Sequence, residues 1–205
     1  MKAHRTYSIS AALLSLAIVP ALIAQAPPPP AVEPGAAQLV LVTIPAKGGT
    51  KLSVSTPAFG QMGDIPFENT QYKGNVFPGL VWTGAPKATK SFAVVMQDAD
   101  AMRNGAPIFH WSMVNIPAGV TKLDAGMSAP PAGAAYGPNI RGATQPYMGP
   151  RTPAGPKHRY HLQVFALDTQ LDAGALPTFE ALTAAMKDHV IASGEVIGLG
   201  QAMAP

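Results

Sequence analysis

Acidic, imidazole and phenol side chains stand at the ends of three apolar runs in this sequence. Asp98 and Asp100 follow the first run, His110 opens the second, and His158 opens the third, two residues before Tyr160. Side chains two residues apart on a strand lie on the same face, so His158 and Tyr160 reach the same side of their sheet. We expect the three strand ends to meet, which would unite these residues in one small polar pocket.

Each of these residues also has a simpler explanation. An aspartate after a strand commonly forms a turn with its own backbone, and a lone histidine on a strand is commonly a core or rim residue. Polar residues of these types at three strand ends favour a functional site more strongly than any one of them alone. We interpret them together as a binding site.

Such a pocket suits two kinds of ligand. A carboxylate beside an imidazole raises the pKa of the imidazole, and a cationic histidine binds phosphate or another oxyanion with help from a tyrosine hydroxyl and glycine amides. Two histidines with a carboxylate also form a common set of ligands for a divalent metal. We predict a small anion as the ligand, with no metal and no cofactor, and the metal-dependent alternative stays open at this point.

The motifs of the common enzyme classes are missing from the sequence. It contains no cysteine, which excludes thiol nucleophiles, thiolate zinc sites and disulfides. It has no G-x-S-x-G or S-x-x-K motif for an activated serine, and no G-x-G-x-x-G or Walker loop for a nucleotide. We therefore predict a binding protein without catalytic residues, and keep as the alternative an enzyme or metal protein that uses the same aspartates and histidines.

The N-terminal residues have the features of an export signal. Lys2 and Arg5 precede an apolar stretch, and small residues typical of a cleavage site follow at 24–26. We predict a signal peptide over 1–26, a stiff proline-rich spacer with little to pack over 27–37, and one folded domain over 38–205. Export would place the protein in the periplasm or outside the cell, with no stable membrane insertion after the signal is removed.

The charge balance argues against nucleic acid as a partner. The chain has 14 lysines and arginines against 11 aspartates and glutamates, and two of the basic residues lie in the predicted signal. The remainder is nearly neutral, whereas binding to phosphate backbones needs a basic surface.

Glycine and proline separate short apolar runs along the rest of the chain, a pattern that favours strands and turns over long helices. We predict strands at Leu39–Ile44, Leu52–Ser55, Leu80–Trp82, Phe92–Met96, His110–Ile116, Tyr160–Leu167 and Glu195–Leu199. One helix is predicted from Thr178 to Ala192, with Leu182, Met186 and Val190 on its apolar stripe and Gly194 at its end. The fold class is thus all-β, with two packed sheets.

The stretch between Asp124 and Lys157 is rich in glycine and proline and shows no periodicity. Loops of such length inside a compact domain commonly shape a site. A third alternative is therefore a protein-interaction module in which this loop contacts a partner.

The order of the motifs resembles the phosphatidylethanolamine-binding proteins, also called Raf-kinase-inhibitor-like proteins, and in particular their bacterial branch. The matching segments are Lys51–Phe59, Gly74–Asn75, Leu80–Pro86, Asp98–Ala101, Phe109–Trp111, Tyr147–Pro150, His158–Tyr160 and Glu195–Gly198. The departures are Ala99 and Met102 in place of two prolines, and Phe77–Gly79 in place of Ser-Pro-Pro.

The resemblance implies a β-sandwich of two antiparallel sheets with a C-terminal helix, and a pocket for phosphate or a phospholipid headgroup. Its ligand-binding residues would be Asp98, Asp100, His110, Gly149, Pro150, His158 and Tyr160. The family's association with inhibition of kinases or proteases adds the regulation of another protein as a further expectation.

Overall fold

The computed structural model describes residues 26–142 and 146–203. The predicted signal peptide, apart from Ala26, lies outside the described residues. The helices and strands in chain order are α1 Val40–Thr43, β1 Ser53–Ser55, β2 Gly63–Asp64, β3 Leu80–Thr83, β4 Ser91–Arg103, β5 Ala106–Pro117, β6 Lys122–Leu123, β7 Ala135–Tyr136, β8 His158–Leu167, α2 Phe179–Met186 and β9 Val190–Gly200. Short 3₁₀ turns lie at Ala36–Gln38, Lys47–Gly49, Phe67–Asn69 and Ala173–Ala175. Within the described ranges, no helix combines the length and the apolar character needed to cross a membrane.

The strands form two sheets. The larger one has the order β2-β9-β8-β4-β5-β7 and the smaller one the order β1-β3-β6. Neighbouring strands pair antiparallel, except that β2 lies parallel to β9 at one edge. The predicted fold, mostly strands in two sheets with few helices, is confirmed.

The large sheet is buried on both faces, which explains the continuous apolar run in β4. Phe92, Val94 and Met96 pack with Trp82 of the small sheet in the core of the sandwich. Ala93 and Val95 belong to a second core on the other face, which α1 and α2 cover. A strand that buries both faces loses the alternation of apolar and polar residues.

Strand β4 continues beyond the expected end at Met96. It runs to Arg103 and turns into β5 through Asn104 and Gly105, whose φ angles of 53° and 79° suit a tight hairpin. The pairing of β4 with β5 shifts between Asp98 and Met102. The two aspartates therefore lie in a bulged strand, and the prediction that they follow its end is wrong.

The predicted strand at Leu39–Ile44 is instead the short helix α1. The side-chain oxygen of Gln97 accepts from the N–H of Val40 at 3.0 Å, and that of Gln163 accepts from the N–H of Leu41 at 2.7 Å. Tertiary contacts thus satisfy the first amides of this turn and override the β propensity of its valines.

The C-terminal helix is shorter than predicted. The Thr178 hydroxyl accepts from the N–H of Ala181 as expected of a cap, but α2 ends at Met186 and the chain enters β9 at Val190. Asp188 between them has a φ of 64°, which no helix tolerates. Gly194 does not end the helix; it lies inside β9, where a Cβ atom would collide with the carbonyl oxygen of Leu52.

The proline-rich segment 27–37 lies against the domain. The N–H of Gly35 donates to the Ala99 carbonyl at 2.8 Å, and the N–H of Lys157 donates to the Pro27 carbonyl at 2.8 Å. The structure thus gives this segment specific contacts that its composition did not indicate.

Candidate functional site

Two bulges bring the candidate residues together at one end of the large sheet. Asp98 of β4 lies opposite Tyr160 of β8. On the other side, Met96 pairs with Trp111 and Gln97 with Phe109, so His110 is an extra residue in β5 without a direct partner. A bulge redirects a side chain that regular alternation would place elsewhere. The ring of His110 packs edge-on against that of Tyr160, with centroids 5.2 Å apart.

Asp98 binds His158 directly. Oδ2 of Asp98 lies 2.9 Å from Nδ1 of His158, and the side chains are 3% and 15% exposed. Because an ionised carboxylate can only accept, Nδ1 carries a proton and donates it, which leaves Nε2 of His158 for another partner. This hydrogen bond, together with the negative charges of Asp98 and Asp100, raises the pKa of His158, although burial acts in the opposite direction.

His110 has the opposite electrostatic behaviour. Burial lowers the pKa of His110, and the attraction of Asp98 and the backbone groups of Gly149 and Met148 only partly offset it. Its Nδ1 atom is buried without a hydrogen-bond partner among the described residues. Asp98 therefore acts on His110 in the expected direction, but burial outweighs it, and the lowered pKa favours the neutral imidazole at neutral pH.

The hydroxyl of Tyr160 is held in place beside Asp98. It lies 3.0 Å from Oγ1 of Thr152, whose carbonyl in turn accepts from the hydroxyl of Tyr72. Burial and the charge of Asp98 raise the pKa of Tyr160, so the phenol keeps its proton. The side chain is a neutral wall of the site with a fixed polar end.

Gly149 and Pro150 lie on a loop that Asn75 and Gln71 hold. Oδ1 of Asn75 accepts from the N–H of Gly149 at 2.8 Å, and Nδ2 donates to the Tyr147 carbonyl at 2.7 Å. Gln71 binds the same loop, donating from its side chain to the carbonyl of Gly149 at 2.7 Å and from its backbone to that of Pro150 at 2.9 Å. Sequence reasoning noted Asn75 only as part of a motif and missed this supporting role.

Asp100 lies apart from the Asp98–His158 pair. Its Oδ2 accepts from the backbone N–H and the Nε–H of Arg159 at 2.7 and 2.8 Å, and its Oδ1 binds the same guanidinium. Burial works to raise the pKa of Asp100, but the hydrogen bonds and charge of Arg159 outweigh it and lower that pKa. Both oxygens are occupied by Arg159, a partner that sequence reasoning missed, and a direct ligand contact of Asp100 stays a prediction.

Two ion pairs lie at this end of the sheet, Asp98 with protonated His158 and Asp100 with Arg159, and Glu33 lies 3.5 Å from Arg159 as well. The site therefore presents positioned hydrogen-bonding groups to a ligand, with only a weak electrostatic field. No three His, Asp or Glu side chains of the described ranges are grouped so that they could hold a metal ion.

Comparison with known proteins places most of the chain in one family. The family model described as phosphatidylethanolamine-binding protein matches residues 55–201. A UPF0098 protein from Methanothermobacter thermautotrophicus is 37% identical over 153 residues, which cover 72% of this chain and 97% of that relative.

Two solved structures resemble this fold. CT736 of Chlamydia trachomatis, described as a homologue of the phosphatidylethanolamine-binding proteins, has a TM-score of 0.66 and 28% identity, covering 73% of this chain and 97% of its own. YbcL of Escherichia coli, described as a new member of the mammalian PEBP family, has a TM-score of 0.65 and 28% identity, covering 75% of this chain and 99% of its own. The sequence match spans every candidate residue of the site and nearly all of the two sheets, and the chain belongs to the phosphatidylethanolamine-binding protein family.

Proposed function

We propose that this chain is a binding protein without catalytic activity, whose site takes the phosphate group of a small anion or of a phospholipid headgroup. The observation that carries the proposal is the 2.9 Å contact between Asp98 and His158. It fixes the orientation of the imidazole and determines which ring nitrogen remains for a ligand.

The second ring nitrogen supplies the contact to the anion. Since Nδ1 always donates to Asp98, the second proton of the imidazolium sits on Nε2, where it forms an N⁺–H donor. Hydrogen bonds from such a donor to a phosphate oxygen are about twice as strong as neutral ones. The raised pKa of His158 keeps this donor present toward neutral pH.

The neighbouring groups define the size and polarity of the site. Neutral His110 and the protonated phenol of Tyr160 bring no charge of their own that would repel an anion. Gly149 lies against the backbone of Asn69 and the ring of Tyr147, where a side chain would collide with both. The absence of a side chain at Gly149 thus keeps this loop packed against its neighbours at the border of the site.

The charge pairs also bear on how the ligand is attracted. Because Asp98, Asp100 and Glu33 lie beside His158 and Arg159, the site has little positive long-range field with which to steer an anion. Recognition therefore depends on short hydrogen bonds, and we expect modest affinity with a sharp dependence on the protonation of His158.

Export and regulation belong to the same proposal. The basic start, apolar stretch and small residues at 24–26 support a signal peptide over 1–26 and a periplasmic or secreted protein. Mass spectrometry of the protein recovered from the periplasm tests this, since a mature chain that begins after residue 26 supports it and an intact N-terminus contradicts it. Regulation of a protein partner is the part of the proposal that rests on the family resemblance alone.

Titration calorimetry at about pH 6 tests the binding proposal, with inorganic phosphate and a short-chain, soluble phosphatidylethanolamine as separate ligands. We expect heat of binding with the wild-type chain and its loss in His158→Gln, with His189→Gln as the matched control, because His189 pairs with Asp168 on the surface. Binding of only one ligand identifies the source of the phosphate group. Equal binding by His158→Gln and wild type would refute the assignment.

A further inference from the structure

We propose that residues 27–38, here called the strap, are attached to the large sheet by a latch that opens when His161 loses a proton. The strap lies beside β4 and β8 and leads into α1. It contacts the side chains of Arg159 and His161, which alternate with those of His158 and Tyr160 along β8. The inference stands independently of the proposed ligand.

Backbone groups of the strap are bound at several points. Besides the contact of Pro27 with Lys157, the guanidinium of Arg159 donates to the carbonyls of Pro30 at 3.0 Å and Val32 at 3.3 Å. Gly35 approaches β4 and β5 so closely that a Cβ atom there would lie 3.0 Å from the carbonyl oxygen of Ala99 and 2.8 Å from a side-chain carbon of Pro107. Contacts of this kind fix an extended segment without requiring an apolar side chain.

His161 forms the centre of the latch. Its Nε2 binds Oε1 of Glu33 in the strap, and its Nδ1 lies 2.8 Å from Oε2 of Glu195 in β9. The His161 side chain is only 3% exposed. Both ring nitrogens face carboxylates, which accept but cannot donate, so both contacts require the doubly protonated imidazolium. Loss of one proton leaves a nitrogen lone pair facing a carboxylate in a nearly dry environment.

Two further charged groups, Arg159 and Asp100, lie next to the latch. Glu33 also lies 3.5 Å from a guanidinium nitrogen of Arg159, which is in turn bound to Asp100 of β4. The latch therefore comprises three carboxylates and two cations when His161 is protonated. Deprotonation of His161 leaves Arg159 as the single cation among the three carboxylates, and detachment of the strap would carry Glu33 away from the other two.

The direction of the pH dependence follows from the environment of His161. Burial alone would lower the pKa of His161, but the hydrogen bonds and charges of Glu195 and Glu33 outweigh burial and raise it above the ordinary value of 6.5. A raised pKa in the attached state means that attachment is strongest below that ordinary value and weakens as the pH rises through the raised one.

Hydrogen exchange of the full chain, followed residue by residue, tests the latch. The reporter is the Gly35 amide, which donates to the Ala99 carbonyl, and its rate is expressed as a protection factor so that the intrinsic effect of pH is removed. We expect the protection factor of the wild type to fall about tenfold or more between about pH 6 and about pH 9. In Glu33→Gln it should be low throughout and nearly independent of pH.

Three further measurements make the result decisive. Asp168→Asn removes a carboxylate from the exposed His189 pair and should behave as the wild type. Glu195→Gln removes the other carboxylate of the latch without touching the strap, and should reduce the pH dependence if Glu33→Gln proves poorly folded. Amides in the centre of β8 should stay protected in every variant. A wild-type protection factor that does not change with pH, or a Glu33→Gln factor equal to that of the wild type, would overturn the proposal.

Discussion

Nδ1 of His158 donates to Oδ2 of Asp98 over 2.9 Å, joining the start of β8 to the bulge of β4. The same carboxylate uses Oδ1 to accept from the backbone N–H groups of Asp100 and Ala101 at 3.0 and 3.1 Å. One side chain thus fixes both the shape of the bulge and the orientation of the imidazole.

Asp98→Asn tests how far the carboxylate controls His158. The amide can keep the shape of the bulge through its oxygen but removes the negative charge. We expect the pKa of His158 to fall toward its ordinary value and the phosphate affinity near neutral pH to fall with it, because less of the imidazole is then protonated. Histidine titration by NMR and calorimetry would measure the two effects, with Asp124→Asn on the surface as the control. An unchanged titration of His158 in Asp98→Asn would contradict this account of the site.

Asp100→Ala should destabilise the fold. The substitution leaves Arg159, which is 10% exposed, without its main partner. Removal of one member of a buried ion pair costs about 3 kcal/mol, and we expect a loss of that size in the free energy of unfolding by urea. The exposed Lys122–Asp124 pair provides the control, because solvent screens it and Asp124→Ala should change the free energy of unfolding little. Equal losses in the two variants would show that Asp100 is not structural.

Gly149→Ala should damage the loop that borders the site. A Cβ atom at this position would collide with the carbonyl oxygen of Asn69 and lie 3.0 Å from the hydroxyl oxygen of Tyr147. We expect a loss of about 1–3 kcal/mol in unfolding free energy together with weaker phosphate binding. Gly119→Ala is the matched control, since nothing lies within 4 Å of a Cβ atom there. Wild-type stability and affinity in Gly149→Ala would show that the loop does not approach the site so closely.

Metal analysis separates the binding proposal from its metal-dependent alternative. Protein purified without chelator and without an affinity tag should contain no stoichiometric zinc or other divalent ion by elemental analysis. One bound ion per chain that is lost in His158→Gln would instead favour a metal site on the same aspartate and histidine pair.

That His158 and Tyr160 lie on the same face was predictable, because β8 is a regular strand there and side chains alternate along it. The positions of Asp100 and His110 were not predictable in the same way. On a regular strand Asp98 and Asp100 would share a face, but the bulge turns Asp100 to Arg159, and a second bulge places His110 beside Tyr160. Register shifts depend on hydrogen bonds between distant strands and leave little trace in a local pattern.

The error at the end of α2 has a related cause. Leu182, Met186 and Val190 do belong to one buried cluster, as the apolar stripe indicated. A helix followed at once by a strand can bury the same residues as a longer helix, so periodicity alone did not locate the boundary. The strap was missed because its attachment uses backbone groups and the single side chain of Glu33, and its proline content indicated only an extended chain.

The most direct test of the central claim is an NMR titration of the His158 ring with and without saturating inorganic phosphate. If the imidazolium Nε2–H donates to the anion, phosphate binds the protonated form preferentially, and the pKa of His158 must rise further when phosphate is present. The NMR signals of the surface residue His189 serve as the internal control, since phosphate should leave them unchanged. A His158 pKa that phosphate leaves unchanged, at concentrations where calorimetry shows binding, would contradict the account.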